Sequence, residues 1–177
     1  MLVIESGKFK GKRIDIVPDK RTRYTTGKVR RALISMFDVS DKEVLELCAG
    51  SGITGFEFLS NGAKFVTFVD ASEKAIKTIK KNALILGVKE SVNIVKIDAR
   101  IFLKRNTKKF DIVFMDPPYE LGIGNELLNL FGNEIWKNSI IVFEHSKYEK
   151  VKIPEFLEII KQKKYGNIIL EILRHIS

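Results

Sequence analysis

The run Val44-Leu45-Glu46-Leu47-Cys48-Ala49-Gly50-Ser51-Gly52-Ile53-Thr54-Gly55 limits what this chain can fold into more than any other stretch. Its apolar opening reads as a short buried strand, and Ile53 to Leu59 reads as the first turns of a helix. Between them Gly50-Ser51-Gly52-Ile53-Thr54-Gly55 fits G-x-G-x-x-G in the one context where that pattern has mechanical meaning. Glycines there allow a sharp turn and a close ligand approach, and helix-start N–H groups face what binds. Such a loop implies a nucleotide-like cofactor without saying which.

The remainder alternates strand and helix. After the loop come helix Ile53–Ser60, strand Phe65–Val69, helix Glu73–Leu86 capped by Ser72 and stopped by Gly87, and strand Asn93–Ile97. A short helix Arg100–Arg105, strand Phe110–Met115, helix Asn125–Phe131 and strand Ser139–Glu144 follow. Pro154 sits where an N1 proline would open a helix Glu155–Lys163, and Tyr165 to Leu173 closes the chain as strand. This order predicts an α/β fold, a mostly parallel sheet with helices on both faces. Upstream, Leu2-Val3-Ile4 and Ile14-Asp15-Ile16-Val17 read as two strands around a turn, with Ile14 and Ile16 on one face. Thr26 is positioned to cap a helix Lys28–Phe37 that buries Val29, Leu33 and Phe37 and leaves Arg30 and Arg31 off its apolar stripe. A boundary near residue 38 would separate a basic extension, residues 1–38, from a sheet domain, residues 39–177.

Charge sharpens that division. The net charge is +9, and residues 1–38 hold ten Lys/Arg against four acids, +6 of the total. A localised basic excess attracts polyanions and points to nucleic acid. No apolar run approaches the roughly 18 residues of a membrane helix, and residues 1–10 lack a signal-peptide core. Cys48 is the single cysteine, which excludes an internal disulfide and a cysteine-based zinc site, and its strand context predicts core packing. These features suit a cytoplasmic protein without a metal.

The chemistry should lie beyond the carboxyl ends of the strands. Three acids stand there: Asp70, Asp98, and Asp116 at the head of Asp116-Pro117-Pro118-Tyr119. Asp70 lies 20 residues after Gly50, the spacing at which an acid meets adenosine ribose hydroxyls, although it could equally cap the next helix. That spacing suits NAD and S-adenosyl-L-methionine alike. The tetrapeptide separates them. Its prolines fix an extended turn with free carbonyl oxygens, and a carboxylate, a fixed carbonyl and an aromatic ring suit a planar base bearing an exocyclic amine. Hydride transfer has no use for that set.

Glu46-x-x-x-Gly50-x-Gly52, Asp70 and Asp116-Pro117-Pro118-Tyr119 resemble the class I S-adenosylmethionine-dependent amino-methyltransferases. Gly7-Lys8-Phe9-Lys10-Gly11-Lys12-Arg13, Pro18, Arg23-Tyr24-Thr25-Thr26 and Lys28-Val29-Arg30-Arg31-Ala32-Leu33 narrow the resemblance to the RsmD family. That family methylates a guanine N2 of small-subunit ribosomal RNA. The chain departs from it at Tyr24, Gly27 and Arg31, where the family usually has Pro, Asp and Glu. The resemblance implies a Rossmann-like, seven-stranded sheet with its last strand antiparallel, and a monomer acting on ribosomal RNA or a small-subunit particle. It implies that Glu46, Ala49, Gly50, Ser51 and Gly52 receive the methionine end of S-adenosyl-L-methionine. Asp70 with Ala71 would take the ribose, and Asp98 with Ala99 the adenine. Asp116, Pro117, Pro118 and Tyr119 would form the catalytic turn, Tyr119 stacking on the base. Lys8, Lys10, Lys12, Arg13, Arg23, Lys28 and Arg30 would contact RNA.

Other polar residues rank lower. His145 reads as a structural strand-end histidine, Trp136 as packing, and His175 as solvated. Competing readings are a DNA adenine or cytosine amino-methyltransferase and a non-catalytic RNA-binding ribosome assembly factor. The former usually carries a larger recognition region than 177 residues permit, and the intact tetrapeptide argues against the latter.

Overall fold

Seven strands form one sheet in the order β5-β4-β3-β6-β7-β9-β8 in a computed structural model that describes residues 1–176. β3 (Glu43–Leu47), β4 (Phe65–Asp70), β5 (Val92–Lys96), β6 (Ile112–Met115) and β7 (Ile140–Ser146) run parallel. The last strand, β9 (Ile168–His175), is antiparallel to both β7 and β8 (Leu157–Tyr165). A separate hairpin joins β1 (Leu2–Val3) to β2 (Arg13–Ile14). Helices α1 (Gly27–Met36), α2 (Ile53–Ser60), α3 (Glu73–Leu86), α4 (Ala99–Arg105) and α5 (Gly124–Asn129) complete the fold. No described helix is long and apolar enough to cross a membrane.

The period of two along a strand sorts the core into two layers. Val44, Phe68, Ile112, Phe114 and Val142 face one way and pack with Phe56 and Phe58 of α2, Ile79 of α3 and Leu33 of α1. Leu45, Leu47, Val113, Met115, Ile141 and Phe143 face the other and pack with Leu103 of α4 and Leu127 of α5. The first layer also contains Ile4, Phe9, Ile14 and Val29, so residues 1–38 share their core with the sheet. The caps follow the sequence: Thr26 accepts from the Val29 N–H, Ser72 from the Ala75 N–H, and Gly87 closes α3 at φ +68°.

Three expectations fail. Residues 155–163 form no helix; Leu157–Tyr165 is an edge strand, and Gly166-Asn167 turns it back onto β9, with Gly166 at φ +60°. A two-residue Gly-Asn connection is a hairpin signal, and the outward lysines 161, 163 and 164 suit an edge that must not recruit another strand. Ile16 is 48% exposed because β2 ends at Ile14, and Val17 turns inward instead. His175 is buried, with Nε2 against the Phe131 carbonyl oxygen and its ring stacked on Phe156.

The departures in the arm prove local and compensated. The Tyr24 hydroxyl accepts from the Val17 N–H at 2.9 Å. A Cβ on Gly27 would stand 2.3 Å from the Glu5 carboxylate, which pairs with Arg31 at 2.7 Å. A side chain at 27 would displace the partner that Arg31 uses.

Arg30 corrects the expectation that it lies off the packed face and meets RNA. It is 3% exposed, and its Nε donates to Glu57 Oε1 at 3.0 Å while Nη2 donates to the Val3 carbonyl oxygen at 2.7 Å. Glu57, 1% exposed on α2, also accepts from the backbone N–H groups of Glu5 and Ser6, each at 3.1 Å. Hairpin, α1 and α2 therefore meet at one ion pair. Removing one partner of a buried pair strands the other charge and costs about 3–5 kcal/mol. Arg30→Ala should lose about that much in urea unfolding, whereas Arg31→Ala, whose pair is exposed, should change stability by about 0.5 kcal/mol or less. Equal losses in the two variants would show that the buried pair does not hold the arm.

Candidate active site

Strand order reverses between β3 and β6: the chain proceeds from β3 outward through β4 and β5, then returns to add β6 and β7 on the other side. At such a switch point the two flanking loops diverge and leave a crevice at the carboxyl edge. Here the loops are Cys48–Gly52 and Asp116–Tyr119. The crevice holds about 110 Å³ and is open at its mouth. It brings together Glu46, Ala49, Gly50, Asp70, Asp116 and Pro118. The stretch Arg21–Thr25 of the arm forms its opposite wall.

Alternation places Glu46 on the same face as Phe114 and Val142, its neighbours in register. It is 4% exposed, and Oε1 accepts from the Gly55 N–H at 2.9 Å. Burial pushes its carboxyl up to about 8, with help from Asp70 and Glu144. Asp70 closes the glycine turn: Oδ2 accepts from the Gly50 N–H at 2.9 Å and Oδ1 from the Ser72 N–H at 2.9 Å. Burial raises its pKa too, against those same hydrogen bonds. Gly50, at φ +58°, faces the opening, where the nearest atom to an added Cβ is Thr22 Cγ2 at 3.4 Å. Gly52, at φ +82°, answers to packing: a Cβ there would stand 2.7 Å from the Phe56 ring. Ser51 is wholly buried, and its hydroxyl accepts from the Ile53 N–H.

On the other lip, β6 pairs with β7 through Met115 and Phe143, so the next residues, Asp116 and Glu144, adjoin. Both carboxyls are raised, first by burial and then, for Asp116, by Glu144, and Arg23 opposes the shift in each. Glu144 was not singled out from sequence, because only the register puts it beside Asp116. The Arg23 guanidinium lies over the Tyr119 ring at 4.3 Å from its centre. Tyr119 is 46% exposed and lies outside the crevice lining.

The remaining expected residues lie apart. Asp98 is the N-cap of α4 and is held bidentately by Arg100, Nε to Oδ1 at 3.0 Å and Nη2 to Oδ2 at 2.8 Å. That pair depresses its pKa to about 2. Asp98, Ala99 and the exposed Ala71 do not line the crevice, nor does the buried Pro117. Lys8, Lys10, Lys12, Arg13 and Lys28 are exposed, Lys8 and Lys12 flanking the Phe9 ring at 5.6 and 5.3 Å. Cys48 is not core. It lies just beyond β3 at φ +54°, half-buried in the crevice wall, and burial raises its thiol pKa away from reactivity. His145 is structural: Nε2 meets Glu171 Oε1 at 3.2 Å and Nδ1 the Ser146 carbonyl oxygen at 2.8 Å.

A buried carboxyl at about 8 beside a cavity is suited to a cationic ligand group, because the incoming charge makes ionisation favourable. An α-amino group titrates at about 7.7–8.0, so at pH 7 it arrives charged while Glu46 is still protonated. Binding of S-adenosyl-L-methionine at pH 7 should release close to one proton, and affinity should rise by up to about tenfold per unit between pH 6 and 7. Calorimetry in buffers of different ionisation enthalpy measures this. The Glu46→Gln variant should release almost none, and equal release from both proteins would remove Glu46 from the amino-group site.

Residues 2–174 match the family model described as Conserved hypothetical protein 95. The chain is 32% identical over 167 residues to a protein named Ribosomal RNA small subunit methyltransferase D from Buchnera aphidicola, covering 92% of this chain and 87% of that one. The solved structure of yhhF from Escherichia coli superposes with a TM-score of 0.87 at 25% identity, covering 99% and 98% of the two chains. That of a ribosomal protein L11 methylase from Lactobacillus delbrueckii shares the fold alone, with a TM-score of 0.69 at 19% identity over 84% and 77%. With a class I methyltransferase sheet, a crevice at its switch point and a family match along nearly its whole length, the chain belongs to the RsmD family.

Proposed function

We propose that this protein transfers a methyl group from S-adenosyl-L-methionine to the exocyclic N2 amine of a guanine in small-subunit ribosomal RNA. Family membership supports methylation of ribosomal RNA. The observation that carries the chemistry is the position of Asp116. Its carboxyl lines the crevice and also a second cavity behind it, so it stands between the two.

The residues of the crevice fit the donor: a buried acid for an ammonium, a second acid at the ribose spacing, and a glycine turn that admits a ligand. Glu46 would hold the amino group, Asp70 the ribose hydroxyls, and Gly50 the close approach. When bound, S-adenosyl-L-methionine supplies a methyl carbon made electrophilic by its sulfonium. The protein's task is then to aim an amine at that carbon. Hydrogen bonds from the amine to Asp116 draw the nitrogen lone pair out of the ring and stabilise the charge that develops on nitrogen. A new N–C bond forms as the S–C bond breaks, leaving the nitrogen with one proton too many. Asp116, whose raised pKa makes it a better base than an ordinary carboxylate, is placed to take that proton. A base in folded RNA must be turned out of its stack to reach this position.

The exposed Lys8–Arg13 turn is suited to phosphates, which fix orientation without reading sequence. Arg23 lines the second cavity, and Lys28 lies over the Tyr165 ring at 5.8 Å from its centre.

Asp116→Ala should abolish methyl transfer to bulk ribosomal RNA while leaving cofactor affinity within a fewfold, and nucleoside analysis of the wild-type product should show N2-methylguanosine. Turnover near the wild-type rate in the variant would make the turn structural, and a different methylated nucleoside would refute the acceptor. Changing Lys8, Lys10, Lys12 and Arg13 together to Ala should reduce the salt slope of RNA binding by about 2 to 4 units, at roughly 0.7–0.9 per phosphate contact. Equal slopes would mean that this turn carries no phosphates.

A further inference from the structure

The second cavity holds about 110 Å³ and is lined by Arg23, Tyr24, Thr26, Val29, Asp116, Glu144 and the tip residue Ile168 of β9. It shares Asp116 with the crevice and lies between the arm and the sheet edge. Glu144 is 5% exposed, and its Oε1 has no hydrogen-bond partner. A buried carboxylate oxygen left unpaired is costly, and a native site that keeps one marks a place where a ligand donor belongs.

The register fixes how the two acids stand. Asp116 and Glu144 follow the paired residues Met115 and Phe143 on adjacent parallel strands, so their side chains project side by side about one strand spacing, roughly 4.8 Å, apart. Two neighbouring acceptors ask for two neighbouring donors. Guanine offers them on one edge, the N1–H beside the N2 amine. Adenine and cytosine place a ring-nitrogen acceptor beside their amine, and against a pair of carboxyl groups that acceptor finds no donor.

Resting on the acceptor proposed above, we infer that Glu144 is a specificity-determining residue whose carboxylate accepts the guanine N1–H while Asp116 holds the adjoining N2 amine. Arg23 opposes the rise in pKa at both acids and so favours that carboxylate as an acceptor. Selection of guanine then comes from the absence of a donor at Glu144 as much as from the presence of an acceptor. Sites that hydrogen-bond one edge of a substrate reject analogues lacking it far more strongly than sites that rely on shape.

The test uses RNA carrying either guanosine or 2-aminopurine riboside at the methylated position. 2-Aminopurine keeps the 2-amine but has a bare acceptor at N1. Wild-type protein should favour the guanosine RNA by at least about 100-fold in kcat/KM. In Glu144→Gln the side-chain amide can donate to that acceptor, so the preference should shrink by at least tenfold, with cofactor affinity within twofold as the control for folding. The same ratio in variant and wild type would overturn the assignment of Glu144. If the variant fails to bind cofactor, the wild-type ratio decides, and a preference below threefold overturns the inference. A wild-type product other than N2-methylguanosine would instead overturn the acceptor reading on which the inference rests.

Discussion

The buried contact between Arg30 and Glu57 determines what the N-terminal residues are. Without it, the apolar contacts of Ile4, Phe9, Ile14, Val29 and Leu33 would be left to hold residues 1–38 on the sheet. With it, the Glu57 carboxylate gathers the amides of Glu5 and Ser6 and the guanidinium of α1, and the hairpin is drawn onto α2. Phe9 and Ile14 then close the core from outside. An arginine suits this position better than a lysine would, because its planar fork serves three acceptors at once: Glu57 and the carbonyl oxygens of Val3 and Thr25. The result is that Arg21–Thr25 becomes a wall of the crevice, and the site is built from two parts of the chain that are far apart in sequence.

Against that wall the sheet presents acids in excess. Glu46, Asp70, Asp116 and Glu144 all have raised pKa values, each first through burial. Neighbouring acids add to the rise at Glu46 and Asp116, and Arg23 is the cation that opposes it at Asp116 and Glu144. Such crowding has no structural purpose in a core that apolar residues could fill. It suits a pocket whose ligands bring positive charge and N–H donors, where relief of the strain adds to binding.

Most of the sheet was legible because strands, turns and helices declare themselves locally: the glycine loop, the Ser72 cap, the Gly87 stop and the alternation of apolar faces. The C-terminal hairpin was not, since Glu155–Lys163 satisfies a helical spacing as readily as an edge strand and Pro154 mimics a helix start. The Gly166-Asn167 turn was the signal that should have outweighed it. Arg30 was misplaced because helix periodicity scores an arginine as outward, while an acid buried on α2 can draw it in; Glu57, alone in the apolar run Ile53–Leu59, was a visible hint. Glu144 was passed over for a different reason. Its importance comes from its register against β6, which no local pattern carries. Asp98 shows the converse, an acid at the expected place that is taken by the arginine two residues on.

Because Arg23, Tyr24 and Asp116 line both cavities, the two are not independent compartments. A charge or a hydrogen bond placed on one side of that shared wall alters the protonation and orientation available on the other. Thermodynamic linkage makes this reciprocal: by whatever factor the first occupant changes the affinity for the second, the second changes the affinity for the first. With a partition one side chain thick, whatever occupies one cavity would tune the affinity of the other for its own occupant.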